Sequence, residues 1–391
     1  MKMIAASIII KDKIRLHNVP DILDIEKLCA ILTKMNAKIS RTNHSLEIDT
    51  SELKNIDPDP HLVRSIRASI VLVGPLLARF GHVKIPLPGG DKIGSRPIDR
   101  HIKAFKDLGI SVQAENNFYI FKKGKVIKET ANFEKITVTG TENILLFAAA
   151  QNQNIVIKNA AIEPEIIDLI NFLKKAGAKI NIEGRELKIK GSVNLKGVEH
   201  TVIPDRIEAG TFAILGTATG SDLEINNVRA EHIGALLEKF REIGVEFEIN
   251  NDKLYIRKSD NLNAVDISTA EYPGFPTDLQ SPIGVLLTQA RGMSHIKENI
   301  FENRLGYLEE LKKMGAKINI LNDQEAEIYG PTELSGAKIE SLDLRAGATL
   351  IIAGLLAHGK TEILGAETID RGYEKIEERF AKIGAKIQRI N

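Results

Sequence analysis

One pattern of apolar and polar positions recurs six times along the 391-residue chain. In each copy an amphipathic helix ends at a glycine or asparagine, a short strand follows, and after a turn a second strand alternates apolar and polar residues. A glycine or asparagine at the end of a helix can adopt the left-handed conformation that stops the helix. The pattern therefore predicts six mixed α/β units of about 70 residues. The residue at which the helix of each unit ends is called its pivot, and the six pivots are Asn36, Gly109, Gly177, Gly244, Gly315 and Gly384.

The same periodicity predicts individual elements within these units. Each pivot predicts a strand directly after it, including one after Gly384. The apolar first ten residues are predicted as a helix, because the run is too short to cross a bilayer and lacks the cleavage site of a signal peptide. Further predictions are helices over 66–80, 166–176 and 210–219, and alternating strands over 187–189 and 254–256.

Length and composition predict how the six units are grouped. Six units exceed one hydrophobic core, so three plus three in two domains is expected, residues 1–203 and 204–391, with Pro204 interrupting the pattern. A net charge of +1 gives no bulk attraction to nucleic acid or to a membrane. The single cysteine, Cys29, excludes an internal disulfide and is typical of a reducing cytoplasm. Its helical context predicts a core residue and not a nucleophile.

Residues 86–101, PLPGGDKIGSRPIDRH, are the least regular stretch of the chain. Their prolines and glycines exclude a regular helix or a central strand, and a long ordered loop of this kind is often a lid over a functional site. Asp91 is a candidate proton donor or acceptor, and Arg96 is a candidate anion clamp. The alternative is a surface loop whose Asp91–Arg96 pair is merely solvated.

Arginines supply most of the remaining candidate chemistry. A guanidinium group presents a planar fork that suits carboxylate and phosphate, and the start of a helix adds free N–H groups and a favourable dipole for an anion. For any single arginine a surface ion pair is the simpler interpretation. Together they indicate a polyanionic substrate. The nine histidines show no ligand-like clustering, so no metal site is expected, and His101 is predicted to pack in the loop or to form hydrogen bonds. The six arginines are Arg67, Arg96, Arg206, Arg304, Arg345 and Arg371.

The motifs LPGG-x-x-IG-x-RP-x-D-x-H, FPTD-x-Q and IDRGYE resemble those of the UDP-N-acetylglucosamine 1-carboxyvinyltransferases, within the EPSP synthase superfamily. The resemblance covers the chain from Ile4 onward. It implies an α/β (α+β) fold, a two-domain inside-out α/β barrel of six βαβαββ-type repeats with the substrate cleft between the domains. It also implies a cytoplasmic enzyme of peptidoglycan synthesis, which transfers the enolpyruvyl group of phosphoenolpyruvate to the 3′-hydroxyl of UDP-N-acetylglucosamine and releases phosphate.

The resemblance assigns roles residue by residue. Asp91 stands where most members carry a cysteine, and it takes that residue's place in proton delivery or product release. Asp278 accepts the proton of the sugar hydroxyl, although the residues alone favour a helix N-cap there. Arg371 clamps phosphoenolpyruvate. The implied partners are these two small molecules, with no nucleic acid, membrane or cofactor, and a monomer is expected. The implied substrate-binding residues are Arg67, Arg96, Lys135, Thr137, Val138, Glu163, Arg206, Ile300, Arg304, Asp343 and Arg345.

The chain departs from the family pattern at its N-terminus. Members begin with a strand of the second domain, followed by a catalytic lysine–asparagine pair just before the first helix. Here Ile4 to Ala6 match that helix, so about twenty residues are expected to be absent through start-site choice or truncation. Lys2 is not in register with the family lysine. The loss predicts an unpaired sheet edge in the second domain.

Two alternative functions stay open from the sequence. The chain could be a truncated or decayed relative that binds UDP-sugars without catalysis, which the N-terminal departure favours. It could also be the enolpyruvyl transferase of the shikimate pathway, which has the same fold. Retention of Asp278, Arg96 and Arg371 argues against the first alternative, and the quoted motifs argue against the second.

Asp91 makes a prediction about inhibition. The epoxide fosfomycin alkylates the cysteine thiolate of the family, and a carboxylate is a much weaker nucleophile. Incubation of the chain with fosfomycin is therefore expected to leave its intact mass unchanged. Stoichiometric covalent labelling at Asp91 would contradict this expectation.

Overall fold

The computed structural model describes residues 1–89, 97–124 and 128–390. The chain divides into two compact units, and it passes from the first to the second between Ile203 and Pro204. No helix in these ranges combines the length and the apolar character needed to cross a membrane.

The first unit contains three sheets, with strand orders β11-β1-β3-β2, β4-β6-β5 and β7-β8-β10-β9. Its helices are α1 (Lys2–Ala6), α2 (Leu23–Lys34), α3 (Pro60–Ser65), α4 (Val73–Phe80), α5 (Asp99–Asp107), α6 (Val138–Ala149) and α7 (Pro164–Lys175), with 3₁₀ turns at Ser7–Ile9 and Arg67–Leu72. Its strands are β1 (Ile14–His17), β2 (Lys38–Thr42), β3 (Ser45–Asp49), β4 (His82–Pro86), β5 (Ser111–Glu115), β6 (Phe118–Lys122), β7 (Thr130–Asn132), β8 (Asn154–Lys158), β9 (Lys179–Glu183), β10 (Glu186–Lys190) and β11 (Glu199–Thr201).

The second unit also contains three sheets, ordered β12-β14-β13, β15-β16-β18-β17 and β19-β20. Its helices are α8 (Arg206–Ala218), α9 (Gly234–Ile243), α10 (Gln280–Leu287), α11 (Tyr307–Lys313), α12 (Leu344–Leu356) and α13 (Ile376–Lys382), with 3₁₀ turns at Ala230–His232, Thr277–Leu279 and Ala366–Arg371. Its strands are β12 (Leu223–Ile225), β13 (Phe247–Asn250), β14 (Lys253–Ile256), β15 (Ile267–Ser268), β16 (Gly292–Lys297), β17 (Lys317–Ile320), β18 (Glu325–Gly330), β19 (Lys338–Glu340) and β20 (Glu362–Leu364).

The repeat predicted from the sequence is clearest in the two sheets built from β7–β10 and from β15–β18. In both, a first strand pairs in parallel with the second, and the last two strands form an antiparallel hairpin. The predicted helix ends are confirmed, because all six pivots have a positive φ. The φ values are 75° at Asn36, 83° at Gly109, 112° at Gly177, 88° at Gly244, 95° at Gly315 and 100° at Gly384.

Helices that are buried on almost every face form the centre of each unit. In the second unit α8, α10 and α12 pack against one another, and in the first α4 packs against α6. A helix that is apolar all round must be enclosed, and strands such as β8 and β10 supply a buried face and an exposed face. The mixed α/β fold, with helices inside and sheets outside, is confirmed. The six sheets remain separate, and no closed barrel forms among the described residues.

The single helix predicted over residues 66–80 is wrong in its first half. The structure has a 3₁₀ turn at Arg67–Leu72, and α4 begins only at Val73. At the junction the Oδ1 atom of Asn143 accepts the backbone N–H of Gly74 at 2.6 Å, so a side chain from α6 satisfies this donor. Pro75, the next residue, has no N–H to donate. The junction is therefore held by tertiary contact with α6.

The strand predicted after Gly384 is also wrong, because residues 385–390 contain no strand. In the four-stranded sheets built from β7–β10 and from β15–β18, the strand after the pivot glycine pairs with the last strand of the sheet. None of the described residues supplies such a last strand to the β19-β20 sheet. Ala385 and Ile387 instead pack against the core. Arg389 anchors the segment through hydrogen bonds of 2.6 and 2.7 Å to the carboxylate of Asp370.

The approach of α4 to α6 predicts a strict requirement for glycine at position 74. A Cβ atom there would lie 2.0 Å from the carbonyl oxygen of Asn143, a backbone atom that cannot turn aside. Gly74→Ala is expected to lower the free energy of unfolding in urea by about 1–3 kcal/mol or more, as overpacking does. Gly234→Ala is the matched control, because a Cβ there meets nothing within 4 Å. Equal stability of the two variants would contradict the prediction.

Candidate active site

Asp278 is the centre of a charged cluster in the second unit. It lies in the 3₁₀ turn that precedes α10. Its Oδ1 atom accepts a hydrogen bond of 2.6 Å from Nη2 of Arg304. Its Oδ2 atom accepts from Nε of Arg345 at 3.1 Å and faces Nη2 of the same residue at 3.0 Å. The two arginine side chains are 4% and 14% exposed, whereas that of Asp278 is 35% exposed. The cluster therefore presents a partly accessible carboxylate on two buried cations.

The positions of the two arginines follow from local structure. Arg345 is the second residue of α12, and Asp343 caps this helix by accepting the N–H groups of Arg345 and Ala346 at 2.7 and 3.0 Å. The guanidinium of Arg345 also lies 5.3 Å from the ring centre of Tyr373. Arg304 follows β16 in a loop, and its Nη1 atom donates to Oγ1 of Thr277 at 2.7 Å.

The electrostatics of Asp278 limit what it can do. Burial by itself would raise the pKa of this carboxyl, but the charges of Arg345 and Arg304 outweigh burial and hold the pKa well below its usual range. The side chain makes no helix-capping hydrogen bond, so the N-cap alternative is wrong. A carboxylate with a lowered pKa accepts hydrogen bonds readily but is a weak base. Asp278 is therefore suited to orient a hydroxyl group.

The candidate residues of the first unit lie at the starts of helices. Thr137 caps α6, because its Oγ1 atom accepts the N–H of Gly140 at 3.3 Å, and Val138 is the first residue of that helix. Lys135 is exposed in the segment before it. Glu163 is buried directly before α7. The exposed Lys135 and the half-buried Thr137 therefore lie close in sequence to the free N–H groups at the start of α6.

Arg67 begins the 3₁₀ turn Arg67–Leu72 and contacts the segment that leads into residues 90–96. Its Nη1 atom donates to the carbonyl oxygen of Pro88 at 3.3 Å. A Cβ atom on Gly89 would lie 1.7 Å from the carbonyl oxygen of Arg64, so the chain approaches α3 closely at this point. Asp91 and Arg96, which the sequence predicts as functional, lie outside the described residues.

His101 joins α5 to α6 through a chain of hydrogen bonds. The amide of Asn143 accepts the N–H of Gly74 and donates to the carbonyl oxygen of Ile70 at 2.7 Å, which fixes its orientation. It therefore donates to Nδ1 of His101 at 3.1 Å, and the proton of the imidazole sits on Nε2, 3.2 Å from Oγ1 of Thr139. The predicted hydrogen-bonding role of His101 is confirmed, although the residue lies in a helix and not in a loop.

An ion pair between a half-buried lysine and a buried glutamate of the first unit was missed by reasoning from the sequence. Nζ of Lys2 lies 3.1 Å from Oε1 of Glu142, whose side chain is completely buried in α6. Burial raises the pKa of Glu142, and the charge of Lys2 opposes this rise. No local signal identifies the pair, because the partner of Glu142 lies 140 positions away in the sequence.

The structure brings together some of the predicted site residues of the second unit. Asp278, Arg304 and Arg345 are in direct contact, whereas Asp343 serves as a helix cap. Arg206 begins α8 with its guanidinium 5.8 Å from the ring centre of Tyr272. Two further predicted residues lie in turns: Ile300 follows β16, and Arg371 ends the 3₁₀ turn Ala366–Arg371.

Comparison with known proteins assigns the fold to a class. The model of the EPSP synthase (3-phosphoshikimate 1-carboxyvinyltransferase) family matches residues 1–380. The enolpyruvyl transferase NikO from Streptomyces tendae superposes with a TM-score of 0.89 at 21% identity, covering 99% of this chain and 92% of that one. EPSP synthase from Acinetobacter baumannii superposes with a TM-score of 0.75 at 17% identity, covering 99% and 95%. The chain therefore belongs to the EPSP synthase family of carboxyvinyltransferases.

Within that family, the chain shares high sequence identity with enzymes of one name. The chain is 43% identical over 391 residues to the UDP-N-acetylglucosamine 1-carboxyvinyltransferase of Halothermothrix orenii, covering 100% of this chain and 94% of the relative. It is 42% identical over 393 residues to UDP-N-acetylglucosamine 1-carboxyvinyltransferase 1 of Clostridium acetobutylicum, with the same coverage. The resemblance predicted from the loop and arginine motifs is confirmed.

The buried His101 predicts a pH dependence of stability. Burial, with help from the charges of Arg67 and Arg100, lowers the pKa of His101 to about 3, against about 6.5 in an unfolded chain. Only the unfolded state takes up a proton as the pH falls below 6.5, so the contribution of a neutral His101 is complete above that pH and is lost progressively below it. Between pH 7.5 and 5.0 this loss is about 2 kcal/mol.

The measurement is the free energy of unfolding in urea at both pH values, for the wild type and for His101→Gln. Glutamine keeps one acceptor for Asn143 and one donor for Thr139 but cannot titrate. The wild type is expected to lose about 2 kcal/mol more than the variant on acidification. Parallel losses in the two proteins would show that His101 does not titrate in this way.

Proposed function

We propose that this chain transfers the enolpyruvyl group of phosphoenolpyruvate to the 3′-hydroxyl of UDP-N-acetylglucosamine and releases phosphate, the first committed step of peptidoglycan synthesis. The observation that carries the proposal is the 43% identity, over the whole chain, to an enzyme named for this reaction. The paired arginines around Asp278 support it, because buried guanidinium groups suit a substrate that carries phosphate and carboxylate groups.

The reaction is an addition followed by an elimination. The oxygen of the 3′-hydroxyl adds to C2 of phosphoenolpyruvate while a proton is added to C3, which gives a tetrahedral ketal. Loss of phosphate from C2 and of a proton from C3 then gives the enolpyruvyl ether. Positive charge near the phosphate and carboxylate stabilises both steps as charge moves. We assign this electrostatic role to Arg96, Arg345 and Arg371.

Asp278 is proposed to act on the sugar hydroxyl. Its carboxylate has acceptor capacity beyond the bonds to Arg304 and Arg345, since two oxygens offer about four lone pairs. Its lowered pKa keeps it ionised throughout the neutral range. We infer that it accepts a hydrogen bond from the 3′-hydroxyl and orients the oxygen toward C2. Asp91 is proposed to deliver the C3 proton or to assist product release in place of the family's cysteine.

The remaining residues are proposed to bind the nucleotide sugar. Thr137 and Val138 offer the N-terminal N–H groups of α6, and a helix N-terminus favours an anion such as a diphosphate. Lys135 lies just before this helix, exposed to solvent. The other proposed contacts, which follow the family motifs, are Arg67, Glu163, Arg206, Ile300, Arg304 and Asp343. For Arg304 and Asp343 the observed bonds to other protein groups make the contribution one of positioning.

We further propose that the two compact units are the two enolpyruvyl transferase domains, residues 1–203 and 204–391. Each holds three sheets around buried helices, as three repeats would. The proposed substrates are small molecules made in the cytoplasm, and we propose that the chain works there as a monomer. No nucleic acid or membrane is part of the proposal.

The test is release of phosphate from phosphoenolpyruvate by the 391-residue chain, with and without UDP-N-acetylglucosamine. Release that depends on the nucleotide sugar is expected, and Asp278→Asn is expected to lower kcat by about 10²-fold or more, because a developing charge loses its oriented partner. The product is identified by mass as the enolpyruvyl ether.

Two other outcomes would contradict the proposal in different ways. Release that depends on 3-phosphoshikimate would favour the shikimate-pathway alternative. Binding of the nucleotide sugar without release would favour a non-catalytic relative, and the first residue to examine would then be Lys2, which is ion-paired with Glu142.

A further inference from the structure

Glu298 is a completely buried carboxylate that carries none of the roles assigned above. It directly follows β16, and four donors reach it. Its Oε1 atom accepts from Oγ1 of Thr269 at 3.0 Å and from the backbone N–H groups of Ile300 and Phe301 at 2.8 and 3.2 Å. Its Oε2 atom accepts from Oγ1 of Thr277 at 2.9 Å. A buried carboxylate is costly unless its oxygens are bonded in this way.

These four bonds join three separate segments of the second unit. Thr269 follows β15, Thr277 opens the turn that carries Asp278, and Ile300 and Phe301 form the turn after β16. Thr269 is itself fixed, because its Oγ1 atom accepts the N–H of Asn299 at 2.8 Å. One side chain therefore sets the relative positions of the turn before α10 and the turn that contains Ile300.

The bond to Thr277 has a defined direction. A threonine hydroxyl has one proton, and Nη1 of Arg304 can only donate, so Thr277 accepts from Arg304 and gives its proton to Glu298. Arg304 is thus held between two carboxylates, directly by Asp278 and through the hydroxyl of Thr277 by Glu298. The direction of these hydrogen bonds, from Arg304 to Thr277 and from Thr277 to Glu298, depends on an acceptor at position 298.

We propose that Glu298 is a positioning residue for the nucleotide-sugar subsite. It holds the backbone at Ile300, and through Thr277 and Arg304 it fixes the carboxylate of Asp278. The inference rests on the proposed function, since that function is what places Ile300 and Asp278 against the sugar. Glu298 acts through the protein groups that it binds, Thr269, Thr277 and the turn after β16.

Glu298→Gln is the informative variant because an amide has the same shape but one donating end. If its NH₂ group faces Thr277, the hydroxyl proton of Thr277 loses its acceptor. If the NH₂ group faces the other side, it meets the donors of Thr269, Ile300 and Phe301. The first orientation breaks the hydrogen bonds that lead through Thr277 and Arg304 to Asp278, and the second breaks the bonds that hold the turn at Ile300.

The matched control is Glu310→Gln. Glu310 is another buried glutamate of the second unit, 6% exposed, which accepts from Lys313 and from the backbone N–H of Glu340 but has no bond to the Asp278 cluster. Both variants are expected to lose stability. Only the Glu298 variant is expected to change the handling of the nucleotide sugar, which a purely structural role would not do.

The experiment compares KM for UDP-N-acetylglucosamine, KM for phosphoenolpyruvate and kcat in steady-state phosphate release. For Glu298→Gln we expect kcat/KM for the nucleotide sugar to fall about 10- to 100-fold, the effect of one charged hydrogen bond. KM for phosphoenolpyruvate is expected to stay within about twofold, a change too small to count as a lost interaction. Glu310→Gln is expected to leave both KM values unchanged.

A second pair of variants keeps the proposal testable if Glu298→Gln does not fold. Thr277→Val removes the hydroxyl that links Arg304 to Glu298 and leaves the bonds to Ile300 and Phe301 intact. It is expected to lower kcat/KM for the nucleotide sugar, and Thr277→Ser, which restores the hydroxyl, is expected to recover it. A Thr277→Val enzyme with wild-type parameters would overturn the proposal.

Calorimetric titration with UDP-N-acetylglucosamine separates failure of this inference from failure of the proposed function. If the wild type turns over and Glu298→Gln matches Glu310→Gln, the inference alone is wrong. If the wild type binds the nucleotide sugar without turnover, the comparison is made on Kd, and the same 10- to 100-fold weakening is expected. If the wild type neither binds nor turns over, both proposals are overturned.

Discussion

The structure of each unit depends on the burial of helices that are apolar on nearly every face. Such a helix is stable only when other elements enclose it, and the sheets and neighbouring helices do so here. The same burial excludes charge from most positions along these helices, so polar chemistry collects at their ends. Thr137 stands at the start of α6, Arg206 at the start of α8, Asp278 just before α10 and Arg345 in the first turn of α12. The candidate functional residues are therefore largely where the packing permits them.

Placing arginines at helix N-termini has an electrostatic cost, because this end of a helix carries partial positive charge. The neighbouring carboxylates offset that cost. Asp205 caps α8 and Asp343 caps α12, each by accepting two backbone N–H groups, and Asp278 binds Arg345 directly. The three carboxylates Asp205, Asp278 and Asp343 therefore equal in number the arginines Arg206, Arg304 and Arg345, in a chain of net charge +1.

Two carboxylates, one partly exposed and one buried, have different roles around Arg304. Asp278 neutralises the guanidinium and remains partly exposed, which allows it to meet a substrate hydroxyl. Glu298 is completely buried and accepts hydrogen bonds from four protein donors, so it holds the surrounding turns in place. Arginine and hydroxyl groups oriented before a substrate arrives need no reorganisation during the reaction, which is the main source of electrostatic catalysis. In the first unit the buried Glu142 pairs with the half-buried Lys2 across distant segments.

The sequence by itself determined the six-fold repeat, the left-handed helix ends, the mixed α/β class and the family. Those features depend on local periodicity and on short motifs, both of which are set by residues close together in the sequence. Tertiary structure alone decided what depends on partners far away in the chain. The helix over 66–80 divides where Asn143 of α6 binds the N–H of Gly74, and the segment after Gly384 packs against the core and forms no strand. The residues alone favour a helix cap at Asp278, but Arg304 and Arg345 bind its carboxylate, since two charges from distant parts of the chain outweigh one local hydrogen bond.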